Sequence, residues 1–332
     1  EDEDRDRRGD QVLYTRADGG AWTEPERLDA GPGLSESPRV VVDGRGRVHV
    51  LWYEAMDPAR PAAMTDLLHR VWDAGRWSAA ESLYREPAPA GLGDLSLAAT
   101  VDGGGRVQVV HTRAAGGAAH LTLGLAGPAR PLGQEVAYPA WDAARGADGG
   151  LGMVYVAARA SVLQPSANND VYFQELRGGR WSAPVPVHVS AAWAYEPALA
   201  TDARGVRHVV WLQGWKEGRS DRVMHATSRD GVTWSEPADV TPAVPGGDFQ
   251  APRLSLDAAG RVRLLVTRHE GQLGRPRHWQ MELDGGRWSA AVQLFPDLGP
   301  ARSHMETAAT PGGPLHALWR GGDGAYRHAT LN

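Results

Sequence analysis

Short apolar runs of five to seven residues, ending in Asp and a glycine turn and followed by a second apolar run, recur along the chain. Pro38–Asp43 precedes Gly46–Trp52, Leu97–Asp102 precedes Val107–His111, Pro197–Asp202 precedes Val206–Trp211, and Pro252–Asp257 precedes Val262–Val266. Runs of this length, alternating or wholly apolar and bounded by glycine turns, predict β-hairpins, and no segment offers a comparably long helical period. The turn aspartates are separated by 59, 100 and 55 residues, so one copy is skipped. Pro139–Tyr155 supplies it, with a longer turn through Gly146, Gly149 and Gly150, and Thr307–Trp319 is a sixth copy.

Tryptophan keeps the same period. Trp22, Trp77, Trp181, Trp234 and Trp288 sit in Gly-x-Trp-(Ser/Thr) type phrases separated by 55, 104, 53 and 54 residues. A repeat near 50 residues built from short strands predicts propeller blades. The four-strand unit has strand A ending in Asp, strand B with the His-Val-x-Trp type phrase, strand C such as Arg222–Ser228, and strand D beginning at the tryptophan. The expected fold is therefore all-β: a six-bladed β-propeller of four-stranded antiparallel blades, closed by pairing N- and C-terminal strands. Ala21–Leu28 reads as the strand D missing from the last blade, but Val12–Thr15 and Ala325–Leu331 both read as its strand C. Closure of this kind removes open sheet edges.

Composition narrows the class. A repeat running from residue 11 to 332 predicts one domain, preceded by a charged tail, residues 1–10, that lacks apolar side chains and is expected to be disordered. With no cysteine there is neither disulfide nor thiolate metal site. A net charge of -5 without a basic stripe argues against nucleic acid. No apolar run approaches the roughly 20 residues of a membrane span.

Ser228-Arg-Asp230-Gly231-Val-Thr233-Trp234 resembles the Asp box of the bacterial neuraminidase repeats. Ala17–Trp22, Asp73–Trp77, Arg177–Trp181 and Asp284–Trp288 look like worn copies of it, so the resemblance covers nearly the whole chain. It implies a sialidase-like propeller in which the box is a turn between strands C and D and its tryptophan packs between blades. The recurring histidines of strand B, His49, His208 and His316, suit packing or strand-to-strand hydrogen bonds better than a metal.

Ligand chemistry on such a scaffold belongs to the starts of strands A and the ends of strands B. Alignment of the copies places Tyr138, Glu196 and Glu306 at one level of strand A, flanked by Asp94 and Tyr195. Glu54, Arg113 and Arg268 share a level at the end of strand B, with Arg159 and Arg320 close by. The resemblance implies a clamp of arginines on a substrate carboxylate, a tyrosine nucleophile activated by a glutamate, and an acid. Arginine forks match a planar carboxylate, and a neutral tyrosine approaches an anionic sugar without repulsion. Arg113, Arg268 and Arg159 or Arg320 are the clamp candidates, Tyr195 or Tyr138 with Glu196 the nucleophile pair, and Asp94 the acid. The Arg-Ile-Pro phrase of that family is absent; Pro38-Arg39 is the nearest text.

The functional expectation is an extracellular glycan-recognising propeller, an exo-sialidase-like glycoside hydrolase acting on acidic sugars. The alternatives are a non-catalytic carbohydrate- or protein-binding propeller and a polysaccharide lyase on the same scaffold. Trp193 and Trp215, outside the repeat markers, are candidate platforms for sugar faces. The expected partner is a glycan or acidic polysaccharide met by a secreted, periplasmic or cell-surface monomer. No cofactor and no metal is expected; calcium on Asp57, Asp66 or Asp170 is the one metal reading with candidate ligands.

Overall fold

The computed structural model describes residues 11–18, 20–30, 34–55, 65–86, 97–113, 118–124, 130–131, 141–146, 149–158, 169–190, 192–214, 222–244, 248–257, 259–269, 276–296, 305–309 and 314–331. Among them there is no α-helix. The expected disordered tail lies outside the described residues. Antiparallel sheets follow one another in chain order, in two compact units, residues 1–139 and 140–332.

The first unit begins with a hairpin in which Leu13–Tyr14 pairs Glu26–Arg27 and Ala17–Asp18 pairs Ala21–Trp22. The segment expected as strand D thus pairs with its own strand C. Blade 1 has A at Leu34–Val42, B at Val48–Ala55, C at Thr65–Asp73, and D in two pieces, Arg76–Trp77 and Glu81–Glu86. Blade 2 runs Leu97–Val101, Val107–Thr112, Ala118–Thr122 and Arg130–Pro131. Leu51, Tyr53 and Leu67 of blade 1 share a core with Leu97, Val107 and Val109 of blade 2, and Val12 and Leu28 of the hairpin pack on Val50 and Trp52.

The second unit holds four blades. Blade 3 runs Trp141–Arg145, Leu151–Ala158, Asn169–Arg177, then Arg180–Trp181 and Val185–His188; blade 4 runs Trp193–Thr201, Arg207–Gly214, Arg222–Ser228 and Ala238–Asp239. Blade 5 runs Asp248–Leu256, Val262–His269, Pro276–Asp284, then Arg287–Trp288 and Val292–Gln293; blade 6 has Glu306–Ala309, Leu315–Arg320 and Tyr326–Leu331. Each apolar face is buried against the next blade: Val154 and Phe173 on Leu199 and Trp211, Val210 and Leu212 on Leu264 and Met281, and Leu265 on Ala317 and Trp319.

The A–B turns explain the periodic aspartates. Asp43 Oδ1 accepts the N–H groups of Arg45 and Arg47, and Gly46 takes φ +79°, a conformation glycine adopts without steric cost. Asp102, Asp202 and Asp257 accept the N–H groups two and four residues on in the same way. Burial raises the Asp43 carboxyl, but the Arg47 and Arg45 N–H groups and the Arg47 guanidinium outweigh it and hold it below the usual range.

Three of the tryptophan markers seal their blade onto the element before it. Trp77 packs edge-on against Tyr14 and donates to Glu26, Trp234 meets Phe173 of blade 3, and Trp288 meets His225 of blade 4. In the box itself, Asp230 Oδ1 accepts from Val232 and Thr233, and Ser228 Oγ accepts from Gly231. Below that turn the buried Arg207 pairs with Glu175 of blade 3 at 2.6 Å.

Strand A carries a second repeated device. Ser37, Glu196 and Ala251, each followed by proline, take φ of 54°, 48° and 47°, and the A–B register shifts there in blades 1, 4 and 5. These are β-bulges, which bend a strand and re-aim the side chains before it.

Candidate functional site

Strand alternation and register assign the side chains at the B-to-C end of each blade. Phe249 lies in the core shared by blades 4 and 5, and Arg268 is paired directly with it, so Arg268 faces blade 4. Arg277 of strand C is opposite Arg268 and shares that side. From blade 4, Tyr195 packs on the same core and is paired with Leu212, one of its members. Trp193, two residues earlier and opposite Gly214, follows Tyr195 onto that side. One junction thus gathers two aromatic rings and two guanidinium groups, all from the second unit.

Arg268 is 6% exposed, and its Nε has no hydrogen-bond partner among the described residues. A buried guanidinium N–H without an acceptor is costly, so an anionic acceptor arriving at this junction is favoured beyond simple charge attraction. Tyr195 is half-buried.

Glu196 is placed differently from a nucleophile's partner. Its Oε2 accepts the N–H of Ala251, the bulge residue of blade 5, at 2.5 Å. Asp142 of blade 3 does the same for blade 4, accepting the N–H of Leu199 at 2.9 Å. Both carboxylates bind a strand A to the one beside it, and a bulge is where the ladder leaves such an N–H to be met by a side chain.

The remaining described candidates are each engaged within their own unit. Arg113 donates to Tyr84 and pairs with Glu86, each at 3.4 Å, and beside it His111 is fully buried with its ring against Tyr84. Arg320 Nε donates to Gly324 O within its own hairpin, and the exposed Glu306 lies 3.6 Å from Arg253. Glu54 is buried beside Asp29 and Asp66, each of which is paired with its own arginine, Arg27 and Arg85. Burial raises the Glu54 carboxyl, the N–H of Trp52 at 3.4 Å lowers it, and the two neighbouring carboxylates raise it further. Asp94, Tyr138, Arg159 and Trp215 lie outside the described residues, as does Asp57. Asp66 is engaged by Arg85 through both oxygens, and Asp170 accepts from Ser190 N–H. Among the described residues no group of three or more His, Asp or Glu is arranged to hold a metal ion.

Sequence reading missed Arg277, Phe249, Tyr84, Glu86 and His111. Arg277 is placed by pairing across a B–C loop whose length says nothing about register, and Tyr84 and Glu86 reach Arg113 only because strand D of blade 1 lies on blade 2.

The fold is an all-β six-bladed β-propeller of antiparallel blades. Several solved structures share it at low identity. A Hadza microbial sialidase, Hz136, is 15% identical with a TM-score of 0.56 over 90% of this chain and 66% of that one. A polysaccharide lyase of a family named PL25, an ulvan lyase bound to -[GlcA(1-4)Rha3S]-, is 14% identical with a TM-score of 0.58 over 94% and 84%. An α-L-arabinanase of Penicillium chrysogenum complexed with arabinobiose is 12% identical with a TM-score of 0.55 over 90% and 93%. No family model and no curated protein matches the sequence. Among the described residues no helix is long and apolar enough to cross a membrane.

Proposed function

We propose that this propeller recognises a glycan through an acidic sugar seated at the blade 4–blade 5 junction, with Arg268 meeting the anion and Trp193 and Tyr195 offering their rings to the sugar. The observation that carries this reading is the buried Arg268, whose Nε lacks an acceptor, set opposite Arg277 on the side that bears both aromatics. A guanidinium fork suits carboxylate and sulfate alike, and aromatic faces suit the C–H face of a pyranose. The sialidase, lyase and arabinanase that share the fold all act on glycans by name, which supports the class of ligand and not the reaction. We propose that the working protein meets this glycan at the cell surface, in the periplasm or outside the cell, and that it does so as a monomer.

The second reading is turnover at the same place, with Tyr195 as the reacting phenol. The bridge from Glu196 to Ala251 N–H supports a positioning role for that carboxylate, holding blades 4 and 5 at the spacing the site needs.

The test measures binding of a set of neutral and acidic oligosaccharides by calorimetry, alongside release of a fluorogenic sialoside aglycone and formation of unsaturated uronate. Arg268→Ala is expected to weaken acidic ligands by about 10- to 100-fold and leave neutral ones unchanged. Equal binding by wild type and variant overturns the reading. Turnover lost in Tyr195→Phe with binding retained establishes the enzyme; binding without turnover in either protein establishes a lectin-like role.

A further inference from the structure

Stacked histidine pairs join strands B and C in blades 1, 4 and 6, at ring separations of 5.1, 5.4 and 5.2 Å. Their partners fix where the protons sit. In blade 4, Trp288 Nε1 donates to His225 Nδ1 at 3.3 Å. An indole N–H only donates, so His225 Nδ1 is a lone pair and the neutral ring carries its hydrogen on Nε2. That hydrogen points to His208 Nδ1 at 3.1 Å, which leaves the His208 hydrogen on Nε2, facing the Asp202 carboxylate at 3.5 Å.

Blade 2 confirms the direction with a residue that has no tautomers. Gln108 Nε2 donates to Asp102 at 2.8 Å, and its Oε1 receives His120 Nε2 at 2.8 Å. A glutamine fits only a chain of donors running from strand C to the turn carboxylate. The histidine pairs of blades 1 and 4 are the same relay in another residue type.

In blade 1 the relay has an open end. His49 Nε2 faces Asp43 at 3.3 Å and His49 Nδ1 receives His69 Nε2 at 2.9 Å, so His69 Nδ1 is a lone pair. By the pattern of the other blades a tryptophan marker of blade 2 would cover it, but residues 118–132 contain none. Glu81, directly opposite His69 in the sheet, instead holds its carboxylate 3.7 Å from Nδ1. Two acceptors face each other across a gap that one proton would turn into a charge-assisted contact.

We propose that blade 1 carries a proton-uptake site, His69 Nδ1 with the Glu81 carboxylate, which fills in acid while the relay stays intact. The matching position of blade 4 is sealed by Trp288 and takes a proton only when that indole leaves. Around the blade 1 pair the charged groups are Asp43, Arg47 and Glu81, while blade 2 contributes the apolar Leu97, Val107 and Val109. Around the blade 4 pair Asp202 is the charged group, and blade 5 contributes Trp288, Leu264 and Met281. Burial, with His49 and Arg47 adding to it, puts His69 at about 4, and burial with His208 puts His225 at about 3, so blade 1 fills first. The proton enters strand D three and five residues before Tyr84 and Glu86, the partners of Arg113.

The experiment is a histidine side-chain NMR titration of the full chain from neutral pH downward. His69 is expected to gain its proton on Nδ1 with the backbone spectrum unchanged, while His225 shows no protonation before unfolding. Glu81→Gln, an exposed substitution, is expected to move the His69 midpoint down by about 0.3 pH unit and leave His225 alone. Trp288→Phe is expected to let His225 titrate in the folded protein. Coincident His69 and His225 midpoints in the wild type, or a His69 midpoint unmoved by Glu81→Gln, overturn the proposal. If Trp288→Phe does not fold, the wild-type and Glu81→Gln titrations decide it alone.

Discussion

Blades 1 and 4 follow one plan at their A–B turns and diverge at their B–C ends. Each has a bulge before proline in strand A, a turn aspartate, a histidine six residues later, and a tryptophan nine residues later whose indole points at residue eleven. At that eleventh place blade 1 has Glu54 opposite Asp66, and blade 4 has Gln213 opposite Arg222. Blade 5 goes further, with Arg268 opposite Arg277. The shared end is bound by short-range hydrogen bonds that every blade needs. The divergent end is free of that demand, and there the side chains run from paired acids to paired bases. Function is to be sought where the repeat stops repeating.

Acid is the strongest lever on the buried histidines. Burial depresses His69 and His111 to about 4 and His225 to about 3. The unfolded chain, with histidines near 6.5, binds these protons first, so the stability they contribute is full above about pH 6.5 and falls as pH drops toward the folded values. Each histidine contributes at most about 1.4 kcal/mol per pH unit in that window. Urea unfolding at a series of pH values checks the slope; a flat profile between pH 7 and about pH 5 contradicts it.

The next effect separates the two blades. Five residues after the turn aspartate, blade 4 has the buried Arg207 and blade 1 has Val48. Arg207→Val would leave Glu175 buried with only the exposed Arg177 at 2.8 Å, at a loss of about 3 kcal/mol in denaturant unfolding. An unchanged midpoint would mean that the pair contributes nothing net. Gly231→Ala, at φ +74° with its new Cβ 2.9 Å from the Phe173 ring, should cost about 2 kcal/mol, seen as a lowered Tm.

Substitutions that copy one blade into another have smaller effects. His208→Gln reproduces the Gln108 relay of blade 2 and should cost under about 1 kcal/mol, whereas His208→Ala, which leaves His225 Nε2 without its acceptor, should cost about 1–3 kcal/mol. Equal losses in the two variants would reject the relay. Glu54→Gln, which gives blade 1 the residue of blade 4, should raise stability at neutral pH by less than about 1 kcal/mol, because one carboxylate leaves the company of Asp29 and Asp66. A lowered Tm would show that the Glu54 charge is compensated.

Much of the architecture was legible in the sequence because the signals are local. Asp43 meets Arg45 and Arg47 within four residues, so an Asp-x-x-Gly pattern already encodes the turn, and period-two apolar runs on either side encode the strands. The level of Glu54, Arg113, Gln213 and Arg268 followed from counting along those strands. The partners did not. Arg113 reads as one arm of a clamp until strand D of blade 1 presents Glu86, 27 residues away, and Glu196 reads as a base until Ala251, 55 residues away, offers its N–H.

By itself, then, the sequence determined the repeat, its turns, its strands and the rank of each residue along them, since these rest on backbone sterics and hydrogen bonds a few residues apart. The tertiary structure decided which ranks meet: Arg268 with Tyr195 and Trp193 at one junction, Trp288 over one histidine pair, Glu81 beside another. The first two meetings depend on how one blade lies against the next and the third on strand pairing within blade 1, and none of these pairings is marked in the residues that make it.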